Sequence, residues 1–520
     1  MIMNIQNAIT NKQEVWIGVD LGTTGVRAIA YDVEGQKYCS SEAFYPLLTP
    51  HPDWAEENPL QIFESVEKVI KETAAELRYK NCLLQGIALS TVMHSFAGLD
   101  EHYEPLMDMQ TWADSRSASI VKEMKQDEKL CRSFYEKTGC PIHACYPLAK
   151  VIWLRRNHPE IFQQMRYVGS LKDYIFRGLT GEWLIDHSAA STSGMYNEKN
   201  MDWDDEILAY AGLRREQMPK IVSTTYMSKL SSQAAAAMEL PEGVPVVIGA
   251  TDGVLVNVGI GAVHPGQLSA TIGTSGALRM LTSQPMTDPK MRTWCYNLVD
   301  DMWVAGGAIN NGGMILRWVR DKICHYTKAH LENLDVDGYD LMTMKASHIP
   351  AGSEGLIMLP CFTGERAPYW NSELRGMFFG LSLNHRRSHM IRATMEGICY
   401  SMNAVLDALK EFGEIQDIRV SGSFTKSDLW LQILSDVLNE KLTLPNNSEG
   451  AAFGAVVLGF IASGRLKSIK DTTELVHPRK VYTPIPENAA TYKELYGIFE
   501  RLYWNLQQEF VDIAAFQKKM

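Results

Sequence analysis

The chain has no Cys-x-x-Cys pair; its nine cysteines are scattered singly through 520 residues, and the nearest two, Cys140 and Cys145, are separated by four others. That pattern speaks against a zinc site or a disulfide framework and is read as the reduced thiols of a cytoplasmic protein. No secretory signal is visible, because residues 1–14 lack a basic stretch leading into an apolar core. No run approaches the roughly 18 apolar residues that span a bilayer, so no membrane partner is expected. Positive charge is short: 50 Lys and Arg stand against 61 Asp and Glu, a net charge of −11. This balance argues against nonspecific attraction to nucleic acid or an acidic membrane surface. Low-complexity segments are absent, and 46% hydrophobic content is ordinary for a globular protein. A chain this long exceeds one compact core, so two domains are expected.

What is present is a repeat. Val15 to Gly25 reads Val-Trp-Ile-Gly-Val-Asp-Leu-Gly-Thr-Thr-Gly, and Gln267 to Gly276 reads Gln-Leu-Ser-Ala-Thr-Ile-Gly-Thr-Ser-Gly. Each is a β-prone run, a Gly-Thr-Thr/Ser-Gly turn and a second apolar run, Val26 to Tyr31 or Ala277 to Leu281. Such a hairpin presents backbone N–H groups and hydroxyls at its tip, where glycine lets an anion approach closely. Two tips on paired lobes could hold a phosphate chain from both sides.

Strands alternate with helices in both halves, which argues for an α/β class with a sheet in each lobe. Asn58 and Pro59 open a helix running to Leu77, and Gly86 to Ser90 reads as a buried strand with a polar tip. Residues 114 to 240 read as mainly helical. A strand over Val244 to Gly249 follows, and the domain boundary is placed near residue 245. This divides the chain into 13–245, 246–480 and a helical tail, 481–520.

Several residues carry candidate chemistry. Asp20 ends the first strand beside the first turn, where a carboxylate could orient hydrated Mg²⁺; a turn aspartate capping local backbone would look the same. Asp252, in Ala-Thr-Asp-Gly, has the same placement. It could accept the proton of an attacking hydroxyl, the modest help that phosphoryl transfer needs, and could equally cap the helix that follows. Ser421 to Asp428 reads as a small-residue turn from strand to helix, suited to a nucleoside or simply to a serine cap. The tip Ser90 to Ser95 and the loop Thr111 to Ser117 offer Met93, His94, Trp112, Asp114 and Arg116 for a polyol.

The chain resembles the FGGY family of carbohydrate kinases from about residue 15 to 480. Cys145 to Asn157, built on Lys150-x-x-Trp153, resembles the first family signature; Gly376 to Leu381 with His389 to Glu396 resembles the second. The resemblance implies the two-lobed ATPase fold of actin, hexokinase and the heat-shock chaperones, related to ribonuclease H, with the active site in the interlobe cleft. It assigns Thr23, Thr24, Gly25 and Arg27 to the first phosphate loop, and Gly273, Thr274 and Ser275 to the second. Asp20 would serve Mg²⁺, Asp252 with Gly253 would meet the acceptor, and Asp252 would be the general base. Gly313 and Arg317 would touch nucleotide, while Gly422, Ser423 and Ser427 would hold adenosine.

Within the family, Met93-His94-Ser95 with Thr111 to Arg116 is most similar to the gluconate kinases. The expected partners are therefore ATP and a sugar acid, with Arg116 as the cation for its carboxylate. Xylulose or another neutral polyol is the rival acceptor, and an actin-like or chaperone-like ATPase the rival class. Three positions depart from the family pattern: Ser423, Cys145 and Arg317. The C-terminal helix could serve a homodimer interface.

Overall fold

The apolar run at Val15 is buried on both faces, as a strand in a covered, partly parallel sheet must be. The computed structural model describes residues 12–326, 337–447, 450–517 and 519; residues 1–11, read above for a leader, and tail residues 518 and 520 lie outside them. In the first sheet, Glu14–Leu21 pairs antiparallel with Gly25–Asp32, which pairs antiparallel with Lys37–Phe44. On its other side Glu14–Leu21 pairs in parallel with Leu83–Thr91, and that strand with Pro245–Thr251.

The second sheet repeats this order. Gln267–Ile272 and Gly276–Thr282 form the hairpin, and Met302–Ile309 extends it antiparallel. Asp417–Ser421 and Leu442–Pro445 continue in parallel on the other side. Short antiparallel strands, Met227–Lys229 in the first sheet and Pro478–Tyr482 in the second, pair at the ends, and Trp294–Val299 pairs with Met302–Ile309. Both Gly-Thr turns therefore join the same two positions of a duplicated sheet.

The placement of Pro245–Thr251 corrects the boundary near residue 245. Val246 and Val247 sit opposite Ile87 and Ala88, so this strand completes the first sheet, and the chain leaves that lobe only after it. Apolar patterning identified a strand, but a parallel partner more than 150 residues upstream leaves no local mark. The tail is also more integrated than a separate helical segment. Pro486–Asn505 and Gln507–Gln517 bury Tyr492, Phe499, Tyr503 and Phe510 in the core of the second lobe. No helix among the described residues is long and apolar enough to cross a membrane.

Helix Pro59–Tyr79 covers one face of the first sheet with Ile62, Val66, Val69 and Ile70; Asn58 Oδ1 accepts the Gln61 N–H at 3.0 Å. The other face meets helix Gly450–Ala462, which also packs on helix Asp252–Gly259 and so joins the lobes. Glycine makes that joint close. A β-carbon at Gly259 would stand 1.7 Å from the Gly450 carbonyl oxygen, and one at Gly454 would stand 2.3 Å from that of Leu255. Gly259→Ala must push the helices apart, an overpacking cost of about 1–3 kcal/mol. Thermal unfolding should move down by roughly 1–3 °C for a chain of 520 residues; an unchanged midpoint would contradict this account of the joint.

Candidate active site

Both turns open into one cavity of about 300 Å³ between the lobes. Its walls include Thr23 of the first turn, Gly273 and Ser275 of the second, Met93, His94 and Trp112 of the polar loops, and Asp252 and Gly253. These are strand ends and the loops that follow them, the usual ligand edge of a sheet with parallel strands. The Gly22 N–H donates to the Gly25 carbonyl at 3.0 Å, and the Gly273 N–H to that of Ser275 at 2.9 Å, which closes each turn.

Asp252 begins the helix at the lobe joint, and its Oδ1 accepts the Gly253 N–H at 2.7 Å. Burial, with the Asp20 carboxylate nearby, raises its carboxyl from 3.8 to about 7, against the pull of Arg279, the Gly253 N–H and Lys172. Lys172 is itself buried, and its Nζ donates to the carbonyls of Ile248 and Ala250 at 2.7 and 3.0 Å. It thereby holds the strand that delivers Asp252. Asp20 does not line the cavity; the Ser90 hydroxyl donates to its Oδ1 at 2.7 Å.

Burial pushes His94 down to about 3, so its ring is neutral. Its Nδ1 lies 2.8 Å from the Thr192 carbonyl oxygen. That carbonyl can only accept, so Nδ1 carries the proton and Nε2 is an acceptor. Trp112 Nε1 donates to Thr23 Oγ1 at 2.8 Å, tying the polyol loop to the first turn. Lys150 of the Lys-x-x-Trp signature is buried, and its Nζ donates to the carbonyls of His94 and Thr111, both at 2.6 Å. One ammonium thus fixes both loops.

Of the nucleotide candidates, Thr23, Gly273 and Ser275 are in the cavity wall and the others are not. Thr24 and Thr274 are exposed at the turn tips, and Gly25 opens the strand after the first turn. The Gly313 N–H donates to the Gly273 carbonyl at 2.7 Å, where a β-carbon would stand 2.7 Å from that same oxygen. Gly422, at φ +99°, lies beside Ile272, and Ser423 is exposed. Ser427 Oγ accepts the Trp430 N–H at 3.3 Å and so caps its helix. Arg317 is exposed, and Arg27 is exposed and paired with Glu42 at 3.1 Å.

Asp114 and Arg116 are corrected. Arg116 Nη2 lies 2.6 Å from Asp114 Oδ2 and 2.7 Å from Glu56 Oε1, and its guanidinium is 3.5 Å from the Trp54 ring centroid. The Arg116 side chain is 2% exposed and that of Asp114 is 0%. They form a sealed structural network and do not line the cavity. Sequence reasoning overlooked the cavity residues Tyr146, Arg279, Trp294, Tyr296 and Arg366. Lys150 stands inside the first family signature with no role assigned to it there. Cys145, noted as a departure, does line the cavity.

Paired sheets with matching turns around a half-buried carboxylate define a two-lobed phosphoryl-transfer protein of the actin-like ATPase class. Comparison with known proteins agrees. The N-terminal domain of the FGGY family of carbohydrate kinases matches residues 15–259, and its C-terminal domain matches residues 268–463. The chain belongs to this family and is an ATP-dependent carbohydrate kinase. It is 37% identical to a gluconokinase of Bacillus subtilis (strain 168), over 96% of this chain and 98% of that one. A xylulose kinase of Staphylococcus epidermidis is 27% identical, over 97% and 99%. The crystal structure of gluconate kinase from Lactobacillus acidophilus has a TM-score of 0.89 at 31% identity, covering 95% of this chain and 98% of that one. Ligand-bound xylulose kinase from the same organism has a TM-score of 0.90 at 30% identity, covering 96% and 100%.

The raised Asp252 carboxyl has a consequence for stability. A folded-state pKa above the unfolded value means that the native protein binds the proton more tightly. Stability from this group is thus full below about pH 3.8 and is lost as pH rises through about 7. Asp252→Asn removes that penalty, at most roughly 4 kcal/mol. In the absence of ligands the variant should melt several degrees above the parent at pH 8, and the difference should shrink toward pH 4. An Asn variant less stable at pH 8 would contradict the burial argument.

Proposed function

We propose that this kinase transfers the γ-phosphoryl group of ATP to the terminal hydroxyl of D-gluconate, giving 6-phospho-D-gluconate and ADP. The observation that carries the reading is the single cavity shared by Thr23, Gly273, Ser275 and Asp252. The names of the relatives at 37% and 31% identity support gluconate as the acceptor.

In this reading the two turns hold the phosphate chain in line with the acceptor. Gly313 ties its helix to the second turn, and the segment Gly422 to Ser427 stands where adenosine would lie. Asp252, in its ionised form, accepts the proton of the terminal hydroxyl as the new oxygen–phosphorus bond forms. The bond from the γ-phosphorus to the ADP oxygen breaks, and ADP leaves. Neutral His94, through Nε2, accepts from a substrate hydroxyl, and Trp112 offers its ring to the carbon chain. Closure of the lobes keeps water from the γ-phosphorus.

Asp20 suits Mg²⁺, a cation that keeps most of its waters and takes few protein carboxylates. No cluster of three or more His, Cys, Asp or Glu is present among the described residues to hold it as a full protein cage. When bound, Mg²⁺ would neutralise charge on the β- and γ-phosphates.

A neutral ketose is the second reading, favoured by the similarity to xylulose kinases. Product identification with ATP, Mg²⁺ and a panel of sugar acids and ketoses separates the two. We expect 6-phosphogluconate to dominate; preferential phosphorylation of xylulose would overturn gluconate. Asp252→Asn should lower kcat by roughly 10²–10⁴-fold while ATP still binds, and a fully active Asn variant would remove the base assignment.

A further inference from the structure

With Arg116 sealed away, a sugar-acid carboxylate needs another cation, and the cavity wall holds two guanidiniums, Arg279 and Arg366. Their surroundings differ. Arg366 Nε donates to Asn310 Oδ1 at 2.7 Å, and its guanidinium stands 5.1 Å from the centroid of Trp112. Arg279 is less engaged. Its Nη1 donates to Thr271 Oγ1 at a long 3.3 Å, and its buried Nε has no hydrogen-bond partner. Burial lowers it only to about 10, so it stays charged at neutral pH. Asp252 is its nearby counter-charge, yet a half-buried cation with unmet donors still favours a further anion.

The cavity borders this guanidinium. Arg279 and Ala277 share one face of the strand Gly276–Thr282, and across the sheet they oppose Gly306 and Ala308. Gly306 in turn opposes Trp294, whose ring would lie 2.7 Å from a β-carbon at Gly306. Gly306 thus admits the Trp294 ring, which with Ala277 and Ala308 lines the cavity beside this guanidinium. At Gly253 a β-carbon would meet Met93 Cε at 2.5 Å and Arg279 Nε at 3.6 Å. The Arg279 Nε thus lies close to Gly253, beside Asp252, whose carboxylate its charge attracts.

We propose that Arg279 is the specificity-determining residue that pairs with the carboxylate of the acceptor, while Asp252 meets the hydroxyl at the other end of the chain. A guanidinium fork matches a carboxylate in two parallel hydrogen bonds, which a neutral polyol cannot reproduce. This inference rests on the sugar-acid reading above.

The test compares the parent with Arg279→Met and Arg279→Lys in steady-state kinetics on gluconate, D-glucitol and xylulose, with gluconate affinity measured by calorimetry. Arg279→Met should raise the gluconate KM and Kd by about 30-fold. It should leave the ATP KM unchanged and reduce the preference for gluconate over the neutral acceptors by a similar factor; Arg279→Lys should recover part of that loss. Loss of Arg279 also lets the Asp252 carboxyl rise, so kcat falls on every acceptor and KM is the readout. An unchanged gluconate KM, an equal rise in KM on charged and neutral acceptors, or a rise confined to the ATP KM would each overturn the assignment. Should Arg279→Met not fold, Arg279→Lys decides. A weakened gluconate KM with neutral acceptors unaffected supports the proposal, and an unaltered preference overturns it. If the parent phosphorylates no sugar acid, the functional reading falls and takes this inference with it. If the parent does so and Arg279→Met keeps its preference, Arg279 alone is wrong.

Discussion

The backbone-to-backbone contact between helices Asp252–Gly259 and Gly450–Ala462 is the constraint on which the site depends. Two sheets with separate cores must present their turns to one cavity, and this helix pair is where the lobes touch most closely. The residue that opens the first of these helices is Asp252. The joint therefore positions the carboxylate and the two turns together. A side chain larger than hydrogen at Gly259 or Gly454 would change the spacing of all three.

A second layer of support comes from buried ammonium groups. Lys150 holds the loops of His94 and Thr111, and Lys172 holds the strand that ends at Thr251. Burial lowers both from the usual lysine range, Lys150 to about 8. Each is a costly group retained where three segments distant in the chain must be held in fixed register. The Arg116 network with Asp114, Glu56 and Trp54 has the same character. These buried charges of the first lobe are thus structural. The guanidiniums facing the cavity, Arg279 and Arg366, come from the second lobe.

The hairpins and the Asn58 cap were legible in the sequence because their signals are local, whereas the expectation of one cleft for Thr23, Gly273 and Asp252 came from the repeat and the family resemblance. A Gly-Thr-x-Gly turn between apolar runs needs no distant partner to be recognised. The domain boundary was not legible, since the apolar pattern of Val246 to Ile248 does not say which sheet it joins. Arg116 misled for a related reason. Its counter-charges are two residues and sixty residues away, and only the fold shows that they enclose it. Arg279 passed unnoticed inside an apolar strand, where alternation alone could not distinguish a cavity floor from solvent. Lys150 sat in a recognised signature, but its two carbonyl partners lie 56 and 39 residues upstream.

The central claim is that both glycine turns grip one phosphate chain and aim it at an alcohol beside Asp252. A crystal structure with a non-hydrolysable ATP analogue, Mg²⁺ and gluconate tests it most directly. The account predicts phosphates between residues 22–25 and 273–276, with the terminal hydroxyl of gluconate within hydrogen-bond distance of the Asp252 carboxylate. Phosphates bound away from either turn, or an acceptor hydroxyl out of reach of Asp252, would contradict it.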